Sequence, residues 1–192
     1  MAPRNAVFLV GFMGAGKSSV GRALGEHLNW LFEDLDDRIE RREGRKIVEI
    51  FEISGEPHFR QAEKAALQQV LEEIYGSAGQ AKIVALGGGA FVQQGNAALL
   101  GAAGVPTVFL DAPAEELWQR CRGQADESGL ERPLLSDFEP FKELYRARRK
   151  HYSKALLKIE TGGREVKVIA AEIAKKLGLK KIAMRTEQGE SE

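Results

Sequence analysis

Cysteine is nearly absent from this chain: Cys121 is the single one among 192 residues, so no internal disulfide can form and nothing points to an oxidising compartment. It has no motif partner for nucleophilic catalysis and reads as a plain buried thiol. The histidines His27, His58 and His151 stand far apart, without metal-ligand spacing. Charge of either sign is not in excess, since Lys+Arg and Asp+Glu are both 28. A chain without a global basic field has no means of holding nucleic acid or an anionic membrane, so any anion must be caught by a local site. No apolar run approaches the length of about 18 residues that a membrane span needs. Met1–Asn5 is too short to be a secretory signal before the apolar run begins. The reading is a cytoplasmic protein with no nucleic-acid or membrane partner.

What is present describes an ordinary globular domain, with 43% hydrophobic and 29% charged residues. The length suits one domain with a proper core. Ala6–Val10, Ile83–Leu86, Thr107–Leu110 and Leu156–Ile159 are short apolar runs of strand length, and Trp30–Phe32 is a shorter one leading into the acidic cluster 33–37. Between them lie helical patterns at Lys17–Leu28, Phe59 to about Ile74, near Asn96–Leu100, from Pro113 to about Cys121, at Phe138–Tyr152 and at Val166–Leu177. Residues 36–54 read as short helices, and Gly55-Glu56-Pro57 as a break. Residues 122–136 are polar and contain glycine without periodicity, which predicts a mobile loop, and 179–192 reads as a loose charged tail. Strands alternating with helices predict an α/β domain spanning 1–178, with a parallel sheet of about five strands between two helical layers.

Gly11-Phe12-Met13-Gly14-Ala15-Gly16-Lys17-Ser18 matches G-x-x-x-x-G-K-[ST] in full. The glycines let successive backbone N–H groups face one concavity, and the following helix adds its N-terminal partial positive charge, so the loop cradles phosphate. Lys17 can reach the β- and γ-phosphates, and the Ser18 hydroxyl can ligate Mg²⁺. The motif lies between a buried-strand pattern and an amphipathic helix, the context the mechanism requires. ATP is therefore the expected co-substrate. A GTPase would carry an N-K-x-D segment, and the chain has none.

The acceptor side rests on three weaker features. Asp34 and Asp36 follow a short strand, and an extended backbone would point both to the same side, one for a metal and one for the acceptor hydroxyl. Helix capping is the competing explanation. Gly87-Gly88-Gly89 after a buried strand reads as a second backbone nest or as a simple strand-ending turn. Arg60, Arg132 and Arg148 have the planar fork that suits carboxylates and phosphates, and each could equally be solvated surface charge.

Together these stretches resemble the shikimate kinase family. The similarity runs through GFMGAGKSSVGR (11–22), DLDDRIE (34–40), IFEISGEPHFRQAE (50–63), LGGGAF (86–91), RPLL (132–135) and Arg148–Tyr152, in the family's order. The resemblance implies a three-layer P-loop kinase fold with a mobile lid over about 122–136 and a monomeric enzyme that takes ATP, Mg²⁺ and shikimate. It implies nucleotide contacts from Gly14, Ala15, Gly16, Lys17, Ser18 and Ser19, with Asp34 supporting the metal through water. Asp36 would bind the acceptor hydroxyl and act as general base. Arg60 and Arg148 would clamp the substrate carboxylate, with Gly88 adding a backbone contact and Glu63 orienting Arg60. Arg132 would swing in with the lid onto the transferring group, and Arg122 would lie over the adenine. Ser19 stands where the family commonly has Thr, residues 76–81 look like a small insertion, and Gly162-Gly163-Arg164 departs from the family's adenine-floor loop.

Overall fold

A computed structural model describes residues 5–76, 80–128 and 136–182, with backbone alone for 124–128. The run Ala6–Val10 forms strand β1 and is buried throughout. Five consecutive apolar side chains alternate between the two faces of a strand, so both faces must be covered, and β1 takes the centre of the sheet. The other strands are β2 (Leu31–Asp34), β3 (Lys82–Ala85), β4 (Thr107–Asp111) and β5 (Leu157–Glu160). All pairings are parallel, in the order β2-β3-β1-β4-β5.

The helices are α1 (Lys17–Leu28), α2 (Leu35–Glu43), α3 (Ile47–Tyr75), α4 (Gln94–Ala103), α5 (Ala114–Ser128), α6 (Phe138–Tyr152) and α7 (Val166–Leu177). The predicted α1 stripe of Val20, Leu24 and Leu28 is buried, and α7 packs against this helix. The break read at Gly55-Glu56-Pro57 is a kink within α3. Gly55 leaves helical space at φ 77° and ψ 169°, and Pro57 falls in the first turn that follows. No helix among the described residues is long and apolar enough to cross a membrane.

Two segments differ from the sequence reading. Residues 122–128, expected to open a mobile loop, continue α5. Arg, Gln, Ala and Glu are good helix formers, and propensity carries the helix past the point where apolar periodicity stops. The remainder of the expected lid, residues 129–135 with Arg132, lies outside the described residues. The beginning of the expected loose tail is tied back to the end of α1. Trp30 Nε1 donates to Lys180 O at 3.1 Å, Asn29 Nδ2 to Ile182 O at 3.1 Å, and Ile182 N to Leu28 O at 2.9 Å. On the tail's side every one of these bonds uses a backbone group, which carries no signature in side-chain composition.

Parallel pairing sets every strand's carboxyl end at one edge of the sheet, where open α/β folds place ligands. The registers Leu9↔Ala85 and Asp34↔Ala85 bring the ends of β1, β3 and β2 level with one another. The glycine loop, the triple glycine and the acidic pair therefore stand side by side.

Candidate active site

The loop Gly11–Lys17 joins β1 to α1. Gly14 and Gly16 have φ values of 76° and 84°, and Gly16 is the N-cap of α1 with no side-chain capping bond. The first amides of α1 thus open into the loop, where an anion would accept them. Lys17 Nζ donates to Gly11 O and Phe12 O, each at 3.1 Å. Burial holds its ammonium below the usual lysine range, against the pull of Asp36 and Asp34.

Ser18 Oγ donates to Asp34 Oδ2 at 2.7 Å, and Asp34 Oδ1 accepts from Asp36 N at 3.1 Å. Asp34 is the N-cap of α2, so the chain turns helical at Leu35, and the extended backbone expected across Asp34–Asp36 is not present. The two carboxylates converge through the capping turn instead. Capping and site-building are one arrangement here: Asp34 uses one oxygen for each. Burial first, and then the like charge of Asp34, pushes the Asp36 carboxyl up to about 6.

Each residue of Gly87-Gly88-Gly89 lies beneath a different functional group. A Cβ on Gly87 would sit 2.5 Å from Asp36 Oδ1, and one on Gly89 would sit 2.9 Å from Arg60 Nη1. A Cβ on Gly88 would find Met13 N at 3.8 Å and Arg148 Nη1 at 3.9 Å. The glycines form a ledge over which Asp36, Arg148 and Arg60 are arrayed, and alanine at either end would displace a charged group. The Tyr152 hydroxyl donates to Gly88 O and fixes the ledge from below.

The two arginines reach this ledge from different helices. Arg60, on α3, donates to Glu56 Oε1 from Nε at 3.1 Å and from Nη2 at 3.0 Å, and its Nη1 donates to both oxygens of Glu63 at 3.1 and 3.2 Å. Glu63 is buried and Glu56 exposed, so the first is a fixed support and the second a partner that solvent or substrate can replace. Arg148, on α6, lies with its guanidinium carbon 5.7 Å from the Phe12 ring centroid. Helix α6 is pinned on both sides of Arg148. Asp111, buried at the end of β4, accepts from the Tyr145 hydroxyl and Arg149 Nη2 (2.6 Å), and pairs with Lys158 Nζ (2.9 Å). Burial alone would raise the Asp111 carboxyl, but these partners hold it below the usual range.

On the other side of the glycine loop is a cavity of about 360 Å³, lined by Gly14, Ala15, Gly16, Ser19, Arg120 and Arg164 among others. Arg122, expected there, is exposed and does not line it. Residues two apart on a helix point about 200° from each other, so the turn that aims Arg120 inward aims Arg122 out. Arg120 Nη1 donates to Gly14 O at 3.3 Å and Nη2 to Thr161 O at 3.1 Å.

A phosphate loop beside a metal-suited Ser/Asp oxygen pair, a buried carboxylate and two guanidinium groups makes a site for moving a phosphoryl group onto a hydroxyl of an anionic acceptor. The shikimate kinase family model matches residues 13–178. The chain belongs to the shikimate kinase family. A shikimate kinase of Geobacter metallireducens is 42% identical over 170 residues, covering 87% of this chain and 88% of its own. One of Persephonella marina is 39% identical over 168 residues, covering 87% and 95%. Among solved structures, the shikimate kinase of Acinetobacter baumannii in complex with shikimate superposes with a TM-score of 0.78 at 33% identity, over 92% of this chain and 93% of that one.

Relative to the shikimate kinase resemblance, the structure adds residues that sequence reading passed over. Arg120 was hidden by the neighbouring Arg122. Glu56, Asn96 and Tyr152 act through contacts across 4, 6 and 64 residues of chain, none of which the quoted motifs specify. Only the i, i+4 spacing of Glu56 and Arg60 offered a usable signal.

Proposed function

We propose that this chain transfers the γ-phosphoryl group of ATP to the 3-hydroxyl of shikimate, giving shikimate 3-phosphate and ADP, a step toward chorismate and the aromatic amino acids. The observation that carries the reading is the glycine ledge, which aligns a buried carboxylate with two guanidinium groups beside a phosphate loop. A hydroxylated carboxylate fits that alignment, with its carboxylate on Arg60 and Arg148, its ring against Gly88, and its hydroxyl on Asp36. Pairing with two arginines also sets selectivity, because an acceptor without the carboxylate leaves both cations poorly paired.

Asp36 takes the hydroxyl proton as the phosphoryl group arrives. A carboxyl raised to about 6 is a stronger base than usual and still ionised at neutral pH. Lys17 and the loop amides hold the β- and γ-phosphates. Ser18 and Asp34 offer hard oxygen donors beside the phosphate loop, the limited protein ligation that Mg²⁺ takes alongside phosphates and water. Ser18, and Asp34 through water, would hold Mg²⁺, which would supply charge neutralisation on the phosphate oxygens. Arg132, which the family resemblance assigns to the transferring group, lies outside the described residues. The adenine lies against Arg120 and Arg164. All these groups come from one chain, in keeping with a monomer working in the cytoplasm, where ATP is available.

A coupled ADP-release assay with Mg-ATP tests the reading by comparing shikimate, quinate, gluconate and no acceptor. Turnover that depends on shikimate is the expected result, and ADP release independent of acceptor would overturn it. Arg60→Ala should raise the KM for shikimate by roughly tenfold to a hundredfold, the worth of hydrogen bonds to a charged group. Steady-state kinetics with ATP saturating check this, and an unchanged KM would remove Arg60 from the clamp.

A further inference from the structure

The support beneath Arg60 continues one residue further than the arginine and its glutamate. Glu63 is 1% exposed, which is costly for a carboxylate unless every oxygen has a partner. Arg60 Nη1 serves both oxygens, and burial nevertheless pushes the Glu63 carboxyl up, with Asp36 adding like-charge repulsion. The second donor to Glu63 is Asn96, in the first turn of α4 and 2% exposed. Its Nδ2 donates to Glu63 Oε2 at 3.3 Å and to Ala90 O at 3.1 Å. Ala90 directly follows the glycine ledge and opens the 3-10 turn Ala90–Val92.

One amide therefore ties three parts of the molecule together: α3 through Glu63, α4 through its own backbone, and the ledge through Ala90. The geometry points to Asn96 as a positioning residue for the acceptor clamp, holding Glu63 at a set distance from the ledge so that Glu63 presents Arg60 across Gly89. This rests on the reading of Arg60 as a carboxylate clamp. A carboxylate held by Arg60 alone can swing with it. One that is also anchored to the ledge cannot, and Arg60 must then keep station over Gly89, where a Cβ would lie within 3.0 Å of Nη2. Pre-organisation of this kind acts on acceptor affinity more than on the chemical step.

The charged groups that bear on this amide are Glu63 and Arg60 on α3, with Asp36 on α2 acting on Glu63 from the side. Asn96→Asp keeps the shape and replaces the donor with a carboxylate facing Glu63. The KM for shikimate should rise about tenfold, the value of one hydrogen bond to a charged group, while the KM for ATP and kcat hold steady. The defect, taken as a ratio to the wild type at each pH, should shrink as pH falls, because a proton shared between Asp at 96 and Glu63 restores the donor. In an Arg60→Ala background the same substitution should add nothing, since the guanidinium it positions is gone.

Two outcomes overturn the inference while leaving the clamp in place. In one, Arg60→Ala raises the KM and Asn96→Asp does not. In the other, the two effects add in full. If Arg60→Ala itself leaves the KM unchanged, the clamp and this inference fall together. Asn96→Ala carries the same comparison in case the aspartate variant does not fold.

Discussion

Asp36→Asn should lower kcat by about a hundredfold to ten-thousandfold, the usual worth of a positioned general base, and leave Mg-ATP affinity nearly unchanged. The amide keeps the shape of the carboxylate but cannot take the hydroxyl proton. In the proposed function nucleotide affinity comes from Lys17 and the loop amides; Lys17 Nζ donates to Gly11 O and Phe12 O, and Asp36 acts on it through charge alone. Equal losses in rate and in ATP affinity would remove Asp36 from the acceptor site and make it part of the nucleotide site. The pH profile carries a second signature. With the Asp36 carboxyl at about 6, kcat/KM for the acceptor should fall about tenfold per unit below that pH and level off above it.

Stability should move in the opposite sense to rate. Because burial raises the Asp36 pKa, the folded protein binds that proton more tightly than the unfolded chain. The group's contribution is then fully favourable below the ordinary carboxylate range and is lost as pH rises through about 6. Asp36→Asn, which cannot ionise, should therefore shift the denaturant midpoint upward at pH 7. A protein made more stable and far less active is hard to explain by misfolding. A lower midpoint would show that the carboxylate stabilises the fold.

Gly87→Ala should cost about a hundredfold in kcat/KM for shikimate without removing any functional group, the penalty for shifting a reacting group by about 1 Å. The new Cβ would stand 2.5 Å from Asp36 Oδ1 and 3.2 Å from Oδ2. The backbone there cannot yield, since β3 is paired on both sides with β1 and β2, and Leu86 N is bonded to Leu9 O at 3.0 Å. Gly87 does not have a positive φ, so alanine is not strained for its own sake and the effect is confined to the contact. Gly95→Ala is the control: it lies on α4 with nothing within 4 Å of the new methyl. A Gly87→Ala enzyme that works at the wild-type rate would mean that Asp36 can move without consequence, which a general base in van der Waals contact with the ledge cannot.

Much of this was legible in the chain before any coordinates. The eight residues Gly11–Ser18 specify their own conformation, because left-handed glycines and the helix that follows are set by neighbours in sequence. The strands were legible for a related reason, as short apolar runs buried on both faces differ from amphipathic helices in pattern. Boundaries were less so. Helix α5 runs to Ser128 because propensity outlasts periodicity, and on it Arg120 lines the cavity beside the glycine loop, whereas the family resemblance implied Arg122 over the adenine. Asp34 and Asp36 were found by type and spacing, yet the backbone between them turns helical where an extended one was expected, because Asp34 caps α2.

The sequence by itself determined that a phosphate is cradled, that an α/β sheet carries the cradle, and that no disulfide or global charge takes part. Each of these depends on residues adjacent in the chain or on composition. Tertiary structure decided which groups share the cradle's edge. The order β2-β3-β1 sets Asp36, the glycine ledge and the phosphate loop next to one another, and that order is made by β3 pairing along one edge with β1 and along the other with β2, strands remote from it in sequence. It also decided what supports Arg60, since Glu63 and Asn96 meet across 33 residues of chain. Local pattern cannot specify such a meeting, because it arises only once burial has removed every other partner from reach.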